Sequence, residues 1–267
     1  VGLNMIADIS VVIPYFNSEL TICRALNSVK FQSVPVTEVV IVNDGSDFMQ
    51  LEKLVIDFQK HIKIILIDLK ENCGAASARN IGIINSTSAY IAFLDADDTW
   101  HKDKILIQYC YLLSNPQVVL CGHLCVYLDN LNDGVLPLNW TSKIVSSKST
   151  LFKNPFNTPS VVMKNNMGFL FSEGRRFAED INLWQNISFD NFAVVRLNLP
   201  LAYVHKPFFG SSGLSNNLLK MEEGEILNFI ALRKDSKINT FYFSMALVYS
   251  VLKFIRRLIL NSIRGAV

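Results

Sequence analysis

The chain has 267 residues, half of them apolar and 18% charged, with 25 Lys and Arg against 23 Asp and Glu. That composition excludes a disordered chain, and a net charge of +2 is too balanced for a protein built to coat nucleic acid. Five cysteines without Cys-x-x-Cys spacing speak against a disulfide scaffold or a zinc ribbon and for a reducing compartment.

The first hundred residues alternate between strand and helix patterns. Residues 9–13 are a β-branched run ended by Pro14, which cannot extend a central strand. Ser18 then stands as N-cap of a helix over 19–31, with Leu20, Cys23, Leu26 and Val29 on one face. Residues 39–42 form a second strand stopped by Asn-Asp-Gly-Ser, 51–60 a helix and 62–69 a third strand. A small-residue helix over 74–85 and a fourth strand over 90–94 follow. Short Val- and Ile-rich strands separated by helices predict a parallel sheet buried on both faces, with ligands beyond the strands' carboxyl ends. After His101 the pattern loosens into a helix over 102–114 and a strand over 118–128. In that strand Cys121, His123 and Cys125 read as buried residues rather than ligands. A polar stretch over 129–149 and a mixed block over 155–209 come next, with a helix near 179–187.

The last stretch, 241–263, reads as a basic amphipathic helix. Lys253, Arg256, Arg257, Asn261 and Arg264 gather with Ser250 on one side. Phe243, Leu247, Val251, Phe254, Leu258 and Ile259 lie away from them. Three readings stay open: a helix docked on the protein's own core, one lying in a membrane interface with cations toward anionic head groups, or an oligomer interface. No segment has the uninterrupted apolar length of a membrane span, and the N-terminus, with Asp8 and no basic flank, does not read as a signal peptide.

The polar residues with chemical meaning fall at strand ends. Asp95, Asp97 and Asp98 place three carboxylates in four positions straight after an apolar strand. They would repel one another unless a hard divalent cation, Mg²⁺ or Mn²⁺, sat among them; the competing reading is a solvated acidic turn. Asp44, in Asn-Asp-Gly-Ser, can accept a bond from a base or ribose, and Pro14-Tyr15-Phe16 can supply an aromatic wall. Gly74 opens a helix narrow enough to approach a neighbour, and Arg79 within it can pair with the acidic crevice or a phosphate.

In their order and spacing, Ser10-Val-Val-Ile-Pro-Tyr-Phe-Asn17, Val39-Val-Ile-Val-Asn-Asp-Gly-Ser46, Glu71-Asn-x-Gly74 with Ala78-Arg-Asn80, and Tyr90-Ile-Ala-Phe-Leu-Asp-Ala-Asp-Asp98 resemble the family-2 glycosyltransferases of the GT-A fold. The resemblance implies an α/β architecture with a Rossmann-like, mostly parallel sheet flanked by helices. It divides the chain into a GT-A domain over 1–215 and a helical extension over 216–267. Within the domain, 1–105 would bind the nucleotide sugar and 106–215 the acceptor. Pro14, Tyr15 and Asp44 would hold the uridine of a UDP-sugar, with Asp95 near ribose or sugar and Arg79 also among the nucleotide-sugar-binding residues. Asp97 would be the ligand of a Mn²⁺ or Mg²⁺ ion, and Asp98 a supporting or sugar-facing acid. Phe177-Ala-Glu-Asp-Ile-Asn-Leu-Trp184 resembles the family's catalytic element, which makes Asp180 the base, Glu179 an acceptor contact and Trp184 a wall of the acceptor pocket. Tyr203-Val-His205 and Ser211-Ser-Gly-Leu-Ser215 are a looser match: His205 would reach the diphosphate or metal or be an ordinary strand residue, and the Gly-Ser stretch would be a loop that closes over the donor.

The function implied is an inverting, metal-dependent transfer of a hexose or N-acetylhexosamine to a glycan acceptor. With the basic tail, it implies a lipid-pyrophosphate-linked acceptor in bacterial O-antigen or capsule-type polysaccharide synthesis, at the inner face of the cytoplasmic membrane. A nucleotidyltransferase would carry a Gly-rich, basic loop after the first strand, and a non-catalytic sugar-nucleotide-binding scaffold would be expected to lack one of the acids. A dehydrogenase would show GxGxxG there.

Overall fold

The computed structural model describes residues 5–127, 136–205 and 217–264. Four parallel strands, β1 (Ala7–Tyr15), β2 (Val36–Asp44), β3 (Ile64–Leu69) and β4 (Tyr90–Phe93), lie in the order β3-β2-β1-β4. The sheet continues with mixed sense. β8 (Val162–Lys164) pairs antiparallel with β4, and β6 (Val118–Tyr127) antiparallel with β8. β9 (Ala193–Val204) runs parallel to β6, and β5 (Thr99–Trp100) and β7 (Ser142–Ile144) both pair antiparallel with β9.

Alternation along β1 sorts the core onto two faces. Ile9, Val11 and Ile13 pack with Ile22 and Leu26 of α1 (Ile22–Lys30), Leu51 of α2 (Phe48–Val55) and Ile105 of α4 (Lys104–Ser114). Val12 faces the other way, toward Ala76 and Ile83 of α3 (Ala75–Ile84) and Leu183, Trp184 and Ile187 of α6 (Glu179–Phe189). The approach of α3 needs Gly82, because a Cβ there would stand 2.3 Å from Val12 Cγ1.

Several boundaries differ from the sequence reading, among them α2 over Phe48–Val55 instead of 51–60 and β2 over Val36–Asp44 instead of 39–42. Two of them have a clear physical cause. β1 runs through Pro14 to Tyr15, because its pairing with β4 ends at Val12 opposite Phe93. Beyond that point β1 is an edge on one side, where a missing N–H costs nothing. α1 starts at Ile22, not at Glu19, and Ser18 does not cap it: its Oγ donates to Phe16 O at 2.8 Å. The left-handed Asn17 (φ 46°) turns the chain there, and its N–H donates to Ser46 Oγ at 2.8 Å.

The C-terminal helices α7 (Leu218–Lys234) and α8 (Thr240–Arg264) close a small core of their own. In it Phe229 and Leu232 of α7 meet Ala246 of α8 and Leu151, which follows α5 (Ser147–Thr150). α8 divides differently from its sequence projection. Ser250 is buried and donates to Glu222 of α7 at 2.7 Å, and Lys253 pairs with Glu225. Phe241, Met245, Val248, Leu252, Ile255 and Ile259, at alternating steps of four and three, are exposed. Ser250 and Lys253 thus look inward and an apolar stripe looks outward.

Candidate active site

A cleft of about 380 Å³ opens at the carboxyl ends of β1, β2 and β4, within the usual size of a small-molecule site. One wall comes from strand ends, with Pro14, Phe16, Asp44, Asp95 and Asp97; the other comes from Gly74, Arg79, Arg175, Arg176 and Glu179. Tyr15 also borders it, but its side chain is buried, and burial with the nearby Glu19 carboxylate raises the pKa of its phenol. The exposed aromatic ring at the mouth is that of Phe16.

Asp44 is buried and braces the turn after β3. Its two carboxylate oxygens accept from Cys73 N at 2.7 Å and Gly74 N at 3.0 Å. The two segments meet so closely that a Cβ on Gly45 (φ +82°) would lie 2.7 Å from Asn72 N and 2.8 Å from Glu71 C. Only glycine fits both the left-handed backbone and the approach. Asn43 completes the corner, donating to Asp68 Oδ1 at 2.7 Å and to Ser46 O at 2.9 Å.

Arg79 joins the two halves of the site. Its Nη2 donates to Asp95 at 2.7 Å and its Nη1 to Glu179 at 3.1 Å, with Cζ 5.4 Å from the Phe171 ring centre. Burial works against the guanidinium's charge, but Asp95 and Glu179 outweigh it and raise its pKa. Burial also raises the Glu179 pKa above the ordinary range, reinforced by Asp180 and opposed by Arg79. Asp180 is half-buried, outside the lining residues but near enough to Arg79 and Asp95 to feel their charge. Its pKa too is raised, chiefly by burial, although it accepts from Ile181 N at 2.7 Å and Asn154 Nδ2 at 3.3 Å.

Two residues lie elsewhere than expected. Trp184 is no wall of an acceptor pocket: it is fully buried against Phe93, Phe156 and Phe171, with centroids at 6.3, 6.4 and 6.0 Å. Asp98 is buried off the cleft and accepts from His205 N at 3.4 Å, so it supports the junction of β5 and β9. His205 Nε2 lies 2.9 Å from Thr99 Oγ1; burial and Arg24 lower the imidazole pKa, while Asp97 opposes them. Ser211 and Ser215 lie outside the described residues. Cys121 and His123 are buried in β6.

Arg24, Arg175, Arg176 and Asn154 had not been singled out in the sequence. Arg24 donates to Asp97 O at 2.8 Å, and Arg176 to Asn72 Oδ1 at 3.3 Å. The Arg-Arg pair just before Glu179-Asp180 was a legible signal.

Among the described residues no group of three or more His, Cys, Asp or Glu side chains could hold a metal ion by itself. Arg79 pairs with Asp95, and Asp97 lines the same cleft; a carboxylate oxygen there would suit a divalent cation whose remaining sites came from phosphates and water.

Asp44, Asp95 and Asp97 stand at the carboxyl ends of parallel strands of an α/β sheet, and Arg79 joins Asp95 to Glu179 across the cleft. That is where such a sheet binds a small-molecule ligand. Residues 10–173, more than half of the chain, match glycosyl transferase family 2, and the chain belongs to that family. An uncharacterized glycosyltransferase of Rickettsia bellii is 33% identical over 195 residues, covering 69% of this chain and 27% of that one. The amylovoran biosynthesis glycosyltransferase AmsE of Erwinia amylovora is 28% identical over 184 residues, covering 67% and 68%. The fold is GT-A: S. aureus TarS 1-349, solved in complex with UDP-GlcNAc, superposes with a TM-score of 0.66 at 19% identity, covering 91% of this chain and 71% of that one. The chain spans 27–30% of the length of the rickettsial relatives it matches.

Proposed function

We propose that the chain is an inverting, metal-dependent glycosyltransferase that moves a hexose or N-acetylhexosamine from a UDP-sugar to a hydroxyl of a lipid-pyrophosphate-linked glycan in polysaccharide synthesis. The observation that carries this reading is the Arg79 bridge, which ties Asp95 on the donor side to Glu179, the neighbour of Asp180. Pro14 and Asp44 take the uridine at the wall that Tyr15 borders, with the Phe16 ring at the mouth, and Asp95 faces ribose or sugar. A divalent cation, when bound, neutralises charge on the departing diphosphate, and Asp97, with His205 nearby, would hold it. Asp180 takes the proton of the acceptor hydroxyl as that oxygen attacks the anomeric carbon from the face opposite UDP. Its raised pKa makes it a stronger base than an ordinary aspartate. Glu179 contacts the acceptor. Bond formation to the acceptor oxygen and rupture of the sugar–phosphate bond are one displacement, so configuration inverts. The UDP-GlcNAc held by TarS and the polysaccharide role in the name of AmsE support the donor and pathway class. The test is transfer from a panel of UDP-sugars to undecaprenyl-pyrophosphate-linked sugars, with product configuration read by NMR. Inverted product is expected; retention or absence of transfer would reject the reading.

The same reading takes α8 as a peripheral contact with the inner face of the cytoplasmic membrane. Among the described residues no helix is long and apolar enough to cross a membrane. Residues 236–267 carry five Lys or Arg and no Asp or Glu; Lys237 and Lys253 pair with Asp190 and Glu225, while Arg256 is exposed on the same helix as the apolar stripe. That combination suits an anionic bilayer and would set like charges against each other in a second copy. Co-sedimentation with phosphatidylglycerol vesicles, abolished by Leu252→Asp with Ile255→Asp, is the expected result. Dimerisation in place of vesicle binding would contradict it.

A further inference from the structure

α7 and α6 both lie beyond residues 10–173, which match the family, and α7 is set directly against the turn that opens α6. Ala178, just before Glu179, has φ 54° and ψ 26°. This is a left-handed conformation that residues other than Gly, Asn and Asp seldom hold. Two groups on α7 bracket it. The buried Asn228 donates from Nδ2 to Ala178 O at 2.8 Å and accepts on Oδ1 from Arg175 Nη1. One turn earlier, Gly224 lets the helix backbone touch the chain, since a Cβ there would stand 2.6 Å from Phe177 O. Ala178 O also accepts from Asn182 N at 3.2 Å, so both its lone pairs are engaged, one within α6 and one by α7.

Burial alone does not call for asparagine at this place. The adjacent Phe229 and the later Leu232 fill the apolar core of the same helix without polar atoms. A fully buried amide that uses its donor and its acceptor on residues 175 and 178 fixes a backbone geometry and a cleft-lining arginine at once. Those are the residues immediately preceding the Glu179-Asp180 pair.

We propose that Asn228 is a positioning residue for sugar transfer: by clamping Arg175 and Ala178 it fixes the direction in which α6 presents Glu179 and Asp180. α7 is then part of the catalytic unit rather than a detachable extension. The inference rests on the reading of Asp180 as base.

The test uses the whole chain and the variants Asn228→Ala, Asn228→Asp and Ala178→Gly, alone and combined. Asn228→Asp keeps the acceptor for Arg175, removes the donor to Ala178 O, and serves if Asn228→Ala does not fold. Expected is a fall in kcat of about tenfold to a hundredfold, the scale of a misplaced catalytic group. In Asn228→Asp, which keeps the acceptor for Arg175, donor KM and UDP affinity should stay within about twofold, and the acid limb of the kcat–pH profile should move. Adding Ala178→Gly to Asn228→Ala should recover part of kcat, because glycine adopts the left-handed turn without the clamp. Folded variants with unchanged kcat would overturn the proposal, as would equal losses in kcat and donor affinity with no recovery by glycine. A wild-type chain that transfers no sugar would instead reject the underlying functional reading.

Discussion

Arg79→Met removes one charge while keeping a flexible stem against Phe171. It leaves Asp95 and Glu179, with side chains 29% and 12% exposed, facing each other and Asp180 without a cation. Breaking a buried ion pair by removing one partner costs about 3–5 kcal/mol, and the partial exposure of Asp95 reduces this to about 2–4 kcal/mol near pH 8. The loss must depend on pH. Arg79 opposes the burial that already raises the pKa of Glu179 and Asp180, so removing it raises both further. A carboxylate whose folded pKa exceeds its unfolded one holds its proton longer in the folded chain. Its unfavourable contribution is therefore absent below the unfolded value, near pH 4, and grows as pH rises through the folded one. Urea unfolding of wild type and Arg79→Met from pH 4 to 8 should show a small deficit at the acid end and the full deficit at pH 8. Glu179→Gln in the Arg79→Met background should recover part of it at pH 8. An equal deficit at every pH would mean that Arg79 acts by packing against Phe171, and the electrostatic account of the site would fail.

Other outcomes follow from the same geometry. Gly45→Ala must displace the turn at Glu71 and Asn72, and with it the bonds Asp44 makes to Cys73 and Gly74. A loss of about 2–4 kcal/mol in stability and at least tenfold in UDP affinity is expected by melting and calorimetry, and unaltered UDP binding would contradict it. Glu38 is buried; although burial works against its charge, Lys63, Thr87 and Ser10 hold its pKa down at about 2. Its lowered folded pKa gives stability present above pH 4.5 and lost as pH falls through 2, about 2 kcal/mol after allowing for the exposed Lys63. Glu38→Gln should flatten the acid limb of the stability–pH curve. The acid limb of kcat itself should lie above the ordinary carboxylate range, and Asp180→Asn should lower kcat by about 10²–10⁴-fold.

That Pro14, Asp44 and Asp95 meet in one cleft was legible because they sit where short parallel strands stop, and strand ends are visible in one sequence. The Arg79 bridge followed from opposite charges in one crevice, although that it spans to Glu179, a hundred residues on, did not. Trp184 misled because helical spacing from Asp180 does not say which face of α6 meets the sheet, and the sheet side with Phe93 took it. Asp98 misled for a related reason. β5 is only Thr99–Trp100, and its partner β9 lies a hundred residues away, so nothing local revealed that Asp98 is pinned to His205. α8 was projected correctly as a helix, but its orientation depends on Glu222 and Glu225 of another helix. The clamp of Asn228 on Ala178 is likewise a contact between segments 50 residues apart.

The central claim is that the cleft binds a sugar nucleotide through Asp97 and a cation, with Asp180 acting afterwards on the acceptor. Its most direct test is calorimetric titration of wild type, Asp97→Ala and Asp180→Asn with UDP, GDP, CMP and dTDP, each with and without Mn²⁺. The account predicts cation-dependent binding of UDP by wild type and Asp180→Asn with equal affinity, and at least a tenfold loss in Asp97→Ala. Equal loss in both variants, or no nucleotide bound by folded wild type, would contradict it.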